Sequence, residues 1–272
     1  MIIVLRNKKG IMKEEIITNI TPIEKRGNLW FKREDLFTYA GCNGAKVRDC
    51  LFFLKDKNPK GLVTAGSRES PQINIVAHIS REWGIPCHAH TTKGELSPEV
   101  KMAQDIGAVI IQHTPGYNNV LCKRAKDEAE KLGWVYIPFG MEFIDAVNTT
   151  KNQVKNIPAE VKRIVVPVGS GMNLASILMG LRENNINIPV LGIVVGADPI
   201  KRLDKYAPYK WRFMCELVKS KYKYQEEPSI QEIEGIKLDP IYEAKCVEFL
   251  KEKDLFWIIG IRKSIQQYAQ KN

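Results

Sequence analysis

The sequence predicts an α/β fold built on mostly parallel sheets. Short apolar runs rich in Val and Ile recur along the chain, and amphipathic segments of helix length separate them. The runs read as strands over 29–32, 61–64, 87–90, 108–112, 134–137, 163–168, 190–195 and 255–261. The intervening segments read as helices over 46–55, 72–83, 98–106, 119–132 and 173–182. Within 72–83, Val76, Ile79, Ser80 and Trp83 keep the three-and-four spacing of one helix face. No internal repeat or low-complexity tract interrupts the alternation. Beyond about residue 201 it becomes irregular, and periodicity sets no boundaries there.

At 272 residues the chain is long enough for one large or two modest domains with a real core. No apolar run approaches the roughly 20 residues that span a bilayer. The N-terminal run reaches a charge at Arg6, too early for a secretory signal. Cys42, Cys50, Cys87, Cys122, Cys215 and Cys246 are scattered without a close pair. That spacing argues against a zinc site or a disulfide framework and predicts a reducing cytoplasm.

The formal charge of +10 predicts a surface that attracts anions. Its densest source is 201–225, where Lys201, Arg202, Lys205, Lys210, Arg212, Lys219, Lys221 and Lys223 face only Asp204 and Glu216. Tyr206, Tyr209, Trp211, Phe213, Tyr222 and Tyr224 are interleaved with them. Such a stretch suits a nucleic-acid backbone and its bases. It suits better a solvated helical surface whose aromatics pack inward. His88 and His90 share one side of a strand; without a third ligand they read as a strand-end surface pair rather than a metal site.

Three segments carry chemistry. Lys46, in Asn43-Gly44-Ala45-Lys46-Val47-Arg48, precedes the apolar helical stripe Val47, Leu51, Leu54. By itself it is a surface lysine at a helix start. Aimed into a cleft, its amine would be kept uncharged by desolvation and by the helix N-terminus. Gly169-Ser170-Gly171-Met172-Asn173 joins a buried-strand pattern to a helix. There the glycines permit close backbone approach, the free N–H groups suit a phosphate, and Ser170 and Asn173 can add side-chain bonds. Leu238-Asp239-Pro240-Ile241-Tyr242-Glu243 supplies a carboxylate late in the chain. Together these match the needs of pyridoxal phosphate: an amine for its aldehyde, N–H groups for its phosphate and an anion for its ring nitrogen. A fourth segment, 64–74, offers Ser67, Ser70 and Gln72 as substrate contacts, or as helix-capping groups. Glu142, after a strand end, is a further cleft candidate.

In order and chemistry these segments resemble the fold-type II pyridoxal-phosphate enzymes, from about residue 21 to about residue 261. Asp239-Pro240-Ile241-Tyr242-Glu243-Ala244-Lys245 is similar to the motif of the branch containing 1-aminocyclopropane-1-carboxylate deaminase and D-cysteine desulfhydrase, with Glu243 leaning toward the deaminase side. The resemblance implies a tryptophan synthase β-like fold of two α/β domains with the cofactor in the cleft between them. The smaller would cover 38–138; the larger would combine 1–37 with 139–272. It also implies that Lys46 is the Schiff-base lysine and that Gly169, Ser170, Gly171, Met172 and Asn173 form the phosphate cup. Glu243 would contact the ring nitrogen, and Tyr242 and Ser70 would bracket the substrate. The chain departs from the family at Met172-Asn173, where Gly-Gly-Thr endings are commoner. It departs again at Pro71 and Gln72, which replace an asparagine and a histidine of the substrate loop.

The activity implied is that of a deaminase or lyase acting on a small amino acid, in an enzyme that is commonly dimeric. A second expectation follows from resemblance to phage-encoded relatives: decarboxylation of an amino acid attached to thymine in DNA, which the +10 charge would suit. A third is a non-catalytic nucleic-acid-binding protein on the same scaffold.

Overall fold

Two sheets organise the chain in the computed structural model, which describes residues 2–3 and 14–265. The four-stranded sheet is wholly parallel, in the order Val109–His113, Cys87–Thr92, Leu62–Ala65, Val135–Ile137. The six-stranded sheet runs Cys215–Lys219, Val190–Val194, Arg163–Val168, Asp254–Ile258, Leu29–Arg33, Ile23–Arg26, and its last strand alone is antiparallel. The first sheet draws all its strands from within 38–138 and the second from outside it.

Both sheets are covered on both faces, as parallel sheets require. In Arg163–Val168, Ile164, Val166 and Val168 face helix Met172–Glu183, while Val165 faces the opposite core with Phe31, Ile193 and Phe256. That alternation is the period of two of a strand buried on both sides. On the smaller sheet, Leu62, Cys87 and Ala89 pack with helices Ala45–Leu54, Gln72–Glu82 and Pro98–Asp105. Val63 and Ala65 meet Leu121, Ala125 and Ala129 of helix Asn118–Leu132. Local chemistry sets the helix ends. Ser97 Oγ accepts the Val100 N–H ahead of Pro98, and Gly133 takes the left-handed cap at φ 65°.

Each predicted strand and helix has its counterpart, with ends displaced by a few residues. The strand expected to reach 261 stops at Ile258, because the next N–H groups turn away to Glu243. Strand Cys215–Lys219 corrects the reading of that stretch as helical surface. It is an edge strand paired on one side only, so Glu216 and Lys219 face solvent and its apolar pattern is short. Helix Ile144–Thr150 was also not legible, whereas helix Ile200–Tyr206, with Tyr206 turned inward, agrees with the helical reading at the start of that stretch. Among the described residues no helix is long and apolar enough to cross a membrane.

Candidate active site

Five parallel strands end at one cleft of about 340 Å³. Gly66 and Ser67 follow Leu62–Ala65, Phe139 and Gly140 follow Val135–Ile137, and Gly169 follows Arg163–Val168. Gly196 and Ala197 follow Val190–Val194, and Ile259 to Lys263 follow Asp254–Ile258. Ligands of α/β sheets bind outside such carboxyl ends. The cleft is lined by Lys46, Ser67, Ser70, Gln72, Gly169, Ser170, Gly171, Asn173, Tyr242 and Glu243, so the structure brings together every sequence-derived candidate except Met172 and Glu142.

Lys46 sits in the first turn of helix Ala45–Leu54, and the start of that helix is pressed onto the 259–260 segment. Gly44, at φ 95°, leaves no space for a Cβ beside Ile259 O, and a Cβ on Gly260 would stand 3.0 Å from Gly44 Cα. The Ala45 N–H donates to Ile259 O at 2.9 Å. Farther along the helix, Arg48 forms a wholly buried ion pair with Glu34, which also accepts the Trp257 Nε1–H at 2.6 Å. Thr150 Oγ1 donates to Asp49 Oδ1 at 3.2 Å. Burial pushes the Lys46 amine down to about 8; Asp49 opposes that shift and the Arg202 charge assists it.

Glu243, 1% exposed, divides its two oxygens. Oε1 accepts the N–H groups of Ile259 (3.0 Å) and Gly260 (3.3 Å), tying this carboxyl to the segment on which the Lys46 helix rests. Oε2 is buried and, among the described residues, has no hydrogen-bond partner. Burial, reinforced by Asp239, raises the Glu243 carboxyl well above the usual range. Asp239 itself is fully used. Its Oδ1 accepts Ile241 and Tyr242 N–H groups, and its Oδ2 accepts the backbone N–H and Nε–H of Arg262. Lys245 Nζ donates to the carbonyls of Lys223 and Tyr224, 2.8 Å each. The segment held in this way carries a residue the sequence reading did not assign to the site. Tyr224 lines the cleft, with its hydroxyl 2.6 Å from that of Tyr242 and 3.4 Å from Ser67 Oγ. Nothing in its basic, irregular surroundings distinguished it from the other aromatics of 201–225.

The glycine loop has no space for larger residues. A Cβ on Gly169 would lie 3.0 Å from Tyr242 Cε1, and Gly171 has φ 90°. Asn173 is buried, and its Nδ2 has no partner among the described residues. Met172 departs from expectation: its side chain joins the core, because it occupies the inward face of the first helical turn, and its backbone N–H is what remains toward the loop.

Gln72 lines the cleft but is held by its walls. Its Nε2 donates to Thr64 Oγ1 (3.0 Å), Ala65 O (3.2 Å) and Pro138 O (2.8 Å), and its Oε1 accepts the Gly140 N–H (2.8 Å). The amide is thereby spent on scaffold and has little left for a substrate. Ser70 Oγ accepts the Gln72 N–H at 3.3 Å, a helix-start contact, while lining the cleft. Glu142 stands behind the cleft wall, paired with Arg202 at 2.7 Å and Lys205 at 3.6 Å.

The histidines are no surface pair. His90 is 3% exposed, and Glu128 binds both His88 and His90. His113 meets His90 at 2.8 Å. Among the described residues no cluster of His, Cys, Asp or Glu could hold a metal. In the basic stretch, Tyr206 and Trp211 pack inward, whereas Tyr209 and Phe213 are 88% and 87% exposed.

A phosphorylated pyridine aldehyde fits what this cleft leaves unpaired. A neutral-tending amine suits its carbonyl, a glycine-lined helix start with an unpartnered Asn173 amide suits its phosphate, and Glu243 Oε2 suits its ring N–H. The chain belongs to the pyridoxal-phosphate dependent enzyme family, whose model matches residues 15–236, and its fold is fold type II. It is 27% identical over 262 residues to a putative 1-aminocyclopropane-1-carboxylate deaminase of Thermotoga maritima, covering 82% of this chain and 83% of that one. It is 26% identical over 228 residues to the O-seryl-dTMP PLP-dependent decarboxylase of Salmonella phage ViI, covering 69% of this chain. The match spans 53% of that relative, about half its length. The crystal structure of an ACC deaminase homologue superposes with a TM-score of 0.77 at 23% identity, covering 93% of this chain and 92% of that one. Serine racemase from Dictyostelium discoideum superposes with a TM-score of 0.64 at 15% identity, covering 89% and 92%. These two likenesses concern the fold.

Proposed function

We propose that this chain uses pyridoxal phosphate to act at the α-carbon of an amino-acid substrate, as a deaminase or lyase. The carrying observation is the buried, unpartnered Glu243 Oε2 in the same cleft as Lys46. The cofactor supplies an aldehyde that captures amines and a ring that draws electrons from the adjacent carbon. The proton that the raised Glu243 carboxyl holds would be shared with the ring nitrogen, and a nitrogen protonated in this way favours carbanion chemistry over mere binding. Lys46 Nζ is the group to hold the cofactor and to move the proton at the α-carbon. Tyr242 would orient the substrate, with Tyr224 holding its hydroxyl and Ser67 in turn reaching that of Tyr224, and Ser70 would face the substrate from the loop. On this reading 38–138 forms one domain and 1–37 with 139–272 the other, although Ile17 and Phe37 pack into the core of the first. A homodimer in a reducing cytoplasm suits it, with six free cysteines.

A second reading, decarboxylation of an amino acid carried on a thymine nucleotide, is supported by the phage relative and by the exposed Tyr209 and Phe213 beside Lys210 and Arg212. One assay separates the two. Free amino acids and a thymine-linked amino acid are supplied to the protein, and ammonia and carbon dioxide are measured. Ammonia from free amino acids supports the first reading; carbon dioxide from the linked substrate supports the second. Neither product, from a protein that also takes up no cofactor, would favour the non-catalytic nucleic-acid-binding scaffold.

A further inference from the structure

The formal positive charge beside the glycine loop comes from outside it. Helix Ile200–Tyr206 follows Pro199, which packs so closely on Gly171 that a Cβ on the glycine would stand 2.9 Å from the proline Cβ. The contact holds this helix against the loop and brings Arg202 into the cleft wall. Arg202 Nη1 donates weakly to Ser170 O at 3.4 Å, and its Nε is fixed by Glu142 Oε2 at 2.7 Å. The other Glu142 oxygen lies 3.6 Å from Lys205 Nζ, so one carboxylate serves two cations and the cluster retains a positive charge. Among the described residues Arg202 Nη2 has no acceptor. Asn173 Nδ2, buried in the same wall, is a second donor without one. Neutral N–H groups of a helix start and a surplus guanidinium thus converge on one loop, the donor set of a phosphate monoester.

We propose that Arg202 binds the cofactor's phosphate against the Gly169–Asn173 loop, with Glu142 as its positioning residue. This rests on the cofactor reading above and adds a charged clamp that the glycine loop lacks. The test compares pyridoxal phosphate with pyridoxal, which has no phosphate. Each is titrated by visible absorbance into cofactor-stripped full-length parent, Arg202→Gln, Arg202→Lys and Glu142→Gln. The Kd for pyridoxal phosphate should rise about 10- to 100-fold in Arg202→Gln, while that for pyridoxal should change far less, only by the small loss of free Lys46 amine that removing the arginine's charge brings. Arg202→Lys should fall between, since a point charge replaces a fork, and Glu142→Gln should raise only the phosphate-dependent Kd, by roughly 2- to 5-fold. Equal weakening of both ligands would mean a structural role and overturn the proposal. Unchanged affinity for pyridoxal phosphate, with weakened binding of thymidine monophosphate, would assign Arg202 to a substrate phosphate and overturn it too. A parent that binds neither pyridoxal nor pyridoxal phosphate would instead overturn the cofactor reading and this clamp with it.

Discussion

The cofactor end of the cleft and the 66–72 loop solve opposite problems with buried polar groups. Around Glu243 and Asn173, Oε2 and Nδ2 have no partner among the described residues. Across the loop the protein supplies them all, so that the Gln72 amide is consumed by four backbone and side-chain contacts. An unpartnered buried polar atom costs about 1–3 kcal/mol and persists where a ligand offsets that cost. A satisfied one is architecture. The contrast separates a ligand-binding end from a rigid wall, although both carry polar side chains and both resembled site motifs in the sequence.

The strongest way to break the comparison is at Lys46. Borohydride should fix the cofactor to this residue, and Lys46→Ala should abolish the fixation and lower turnover by roughly 1,000-fold or more. Peptide mass spectrometry decides the site. Lys263 lines the same cleft, and finding the added mass there would remove Lys46 from its role.

Glu243→Gln should come next. The amide keeps an oxygen for the Ile259 and Gly260 N–H groups, so cofactor should remain bound while a carbanion-forming step slows by about 10- to 1,000-fold. Unchanged turnover would place Oε2 away from the ring nitrogen. On the other side of the comparison, Gln72→Leu should lower unfolding stability by about 1–3 kcal/mol, by leaving the Gly140 N–H without its partner and removing one of the two donors to Pro138 O. Cofactor affinity of the folded fraction should stay near the parent value, and a selective loss of substrate affinity would return Gln72 to the substrate site.

The same contrast explains what was legible. The cofactor end is short and local: a glycine loop between strand and helix, a lysine at a helix start, and a Tyr-Glu pair in one motif, each a few adjacent residues. The larger sheet was legible for the same reason, since Ile164 to Val168 and Leu255 to Ile258 are continuous apolar runs buried on both faces. Tyr224 and Arg202 were not. They reach the cleft because Lys245 anchors the 223–224 backbone and Pro199 packs on Gly171, contacts between distant segments that leave no period in the chain. Gln72 looked like a substrate contact because sequence shows a polar side chain without showing what occupies it.

A finer test concerns the charge on Lys46. With its amine lowered to about 8, the lysine is mostly protonated below that pH and free above it, so its reaction with an amine-directed reagent should rise through about pH 8. An ordinary lysine would show its midpoint at about 10.4. Arg202→Gln should move the midpoint up, since the arginine's charge disfavours the ammonium, and Asp49→Asn should move it down, since Asp49 favours it. Shifts in the reverse directions would mean that these two charges do not act on Lys46.

The smallest effect is expected at the basic surface. Lys221 pairs with Glu248 at 2.6 Å, and Lys223 approaches Glu226 at 3.9 Å, so part of the charge seen in sequence is already met locally. If the substrate is a free amino acid, duplex DNA should bind weakly at about 150 mM salt, and neutralising Lys219, Lys221 and Lys223 should leave turnover unchanged. If it is a thymine-linked amino acid, DNA affinity should fall with salt at a log–log slope of about −0.9 per phosphate contact, and the same replacements should flatten it. Cofactor absorbance should be untouched in either case, because these lysines lie outside the cleft lining. Tyr209→Ala and Phe213→Ala sharpen the result. Both rings are exposed, and loss of DNA affinity without loss of salt dependence would identify them as base-stacking contacts and carry the second reading over the first.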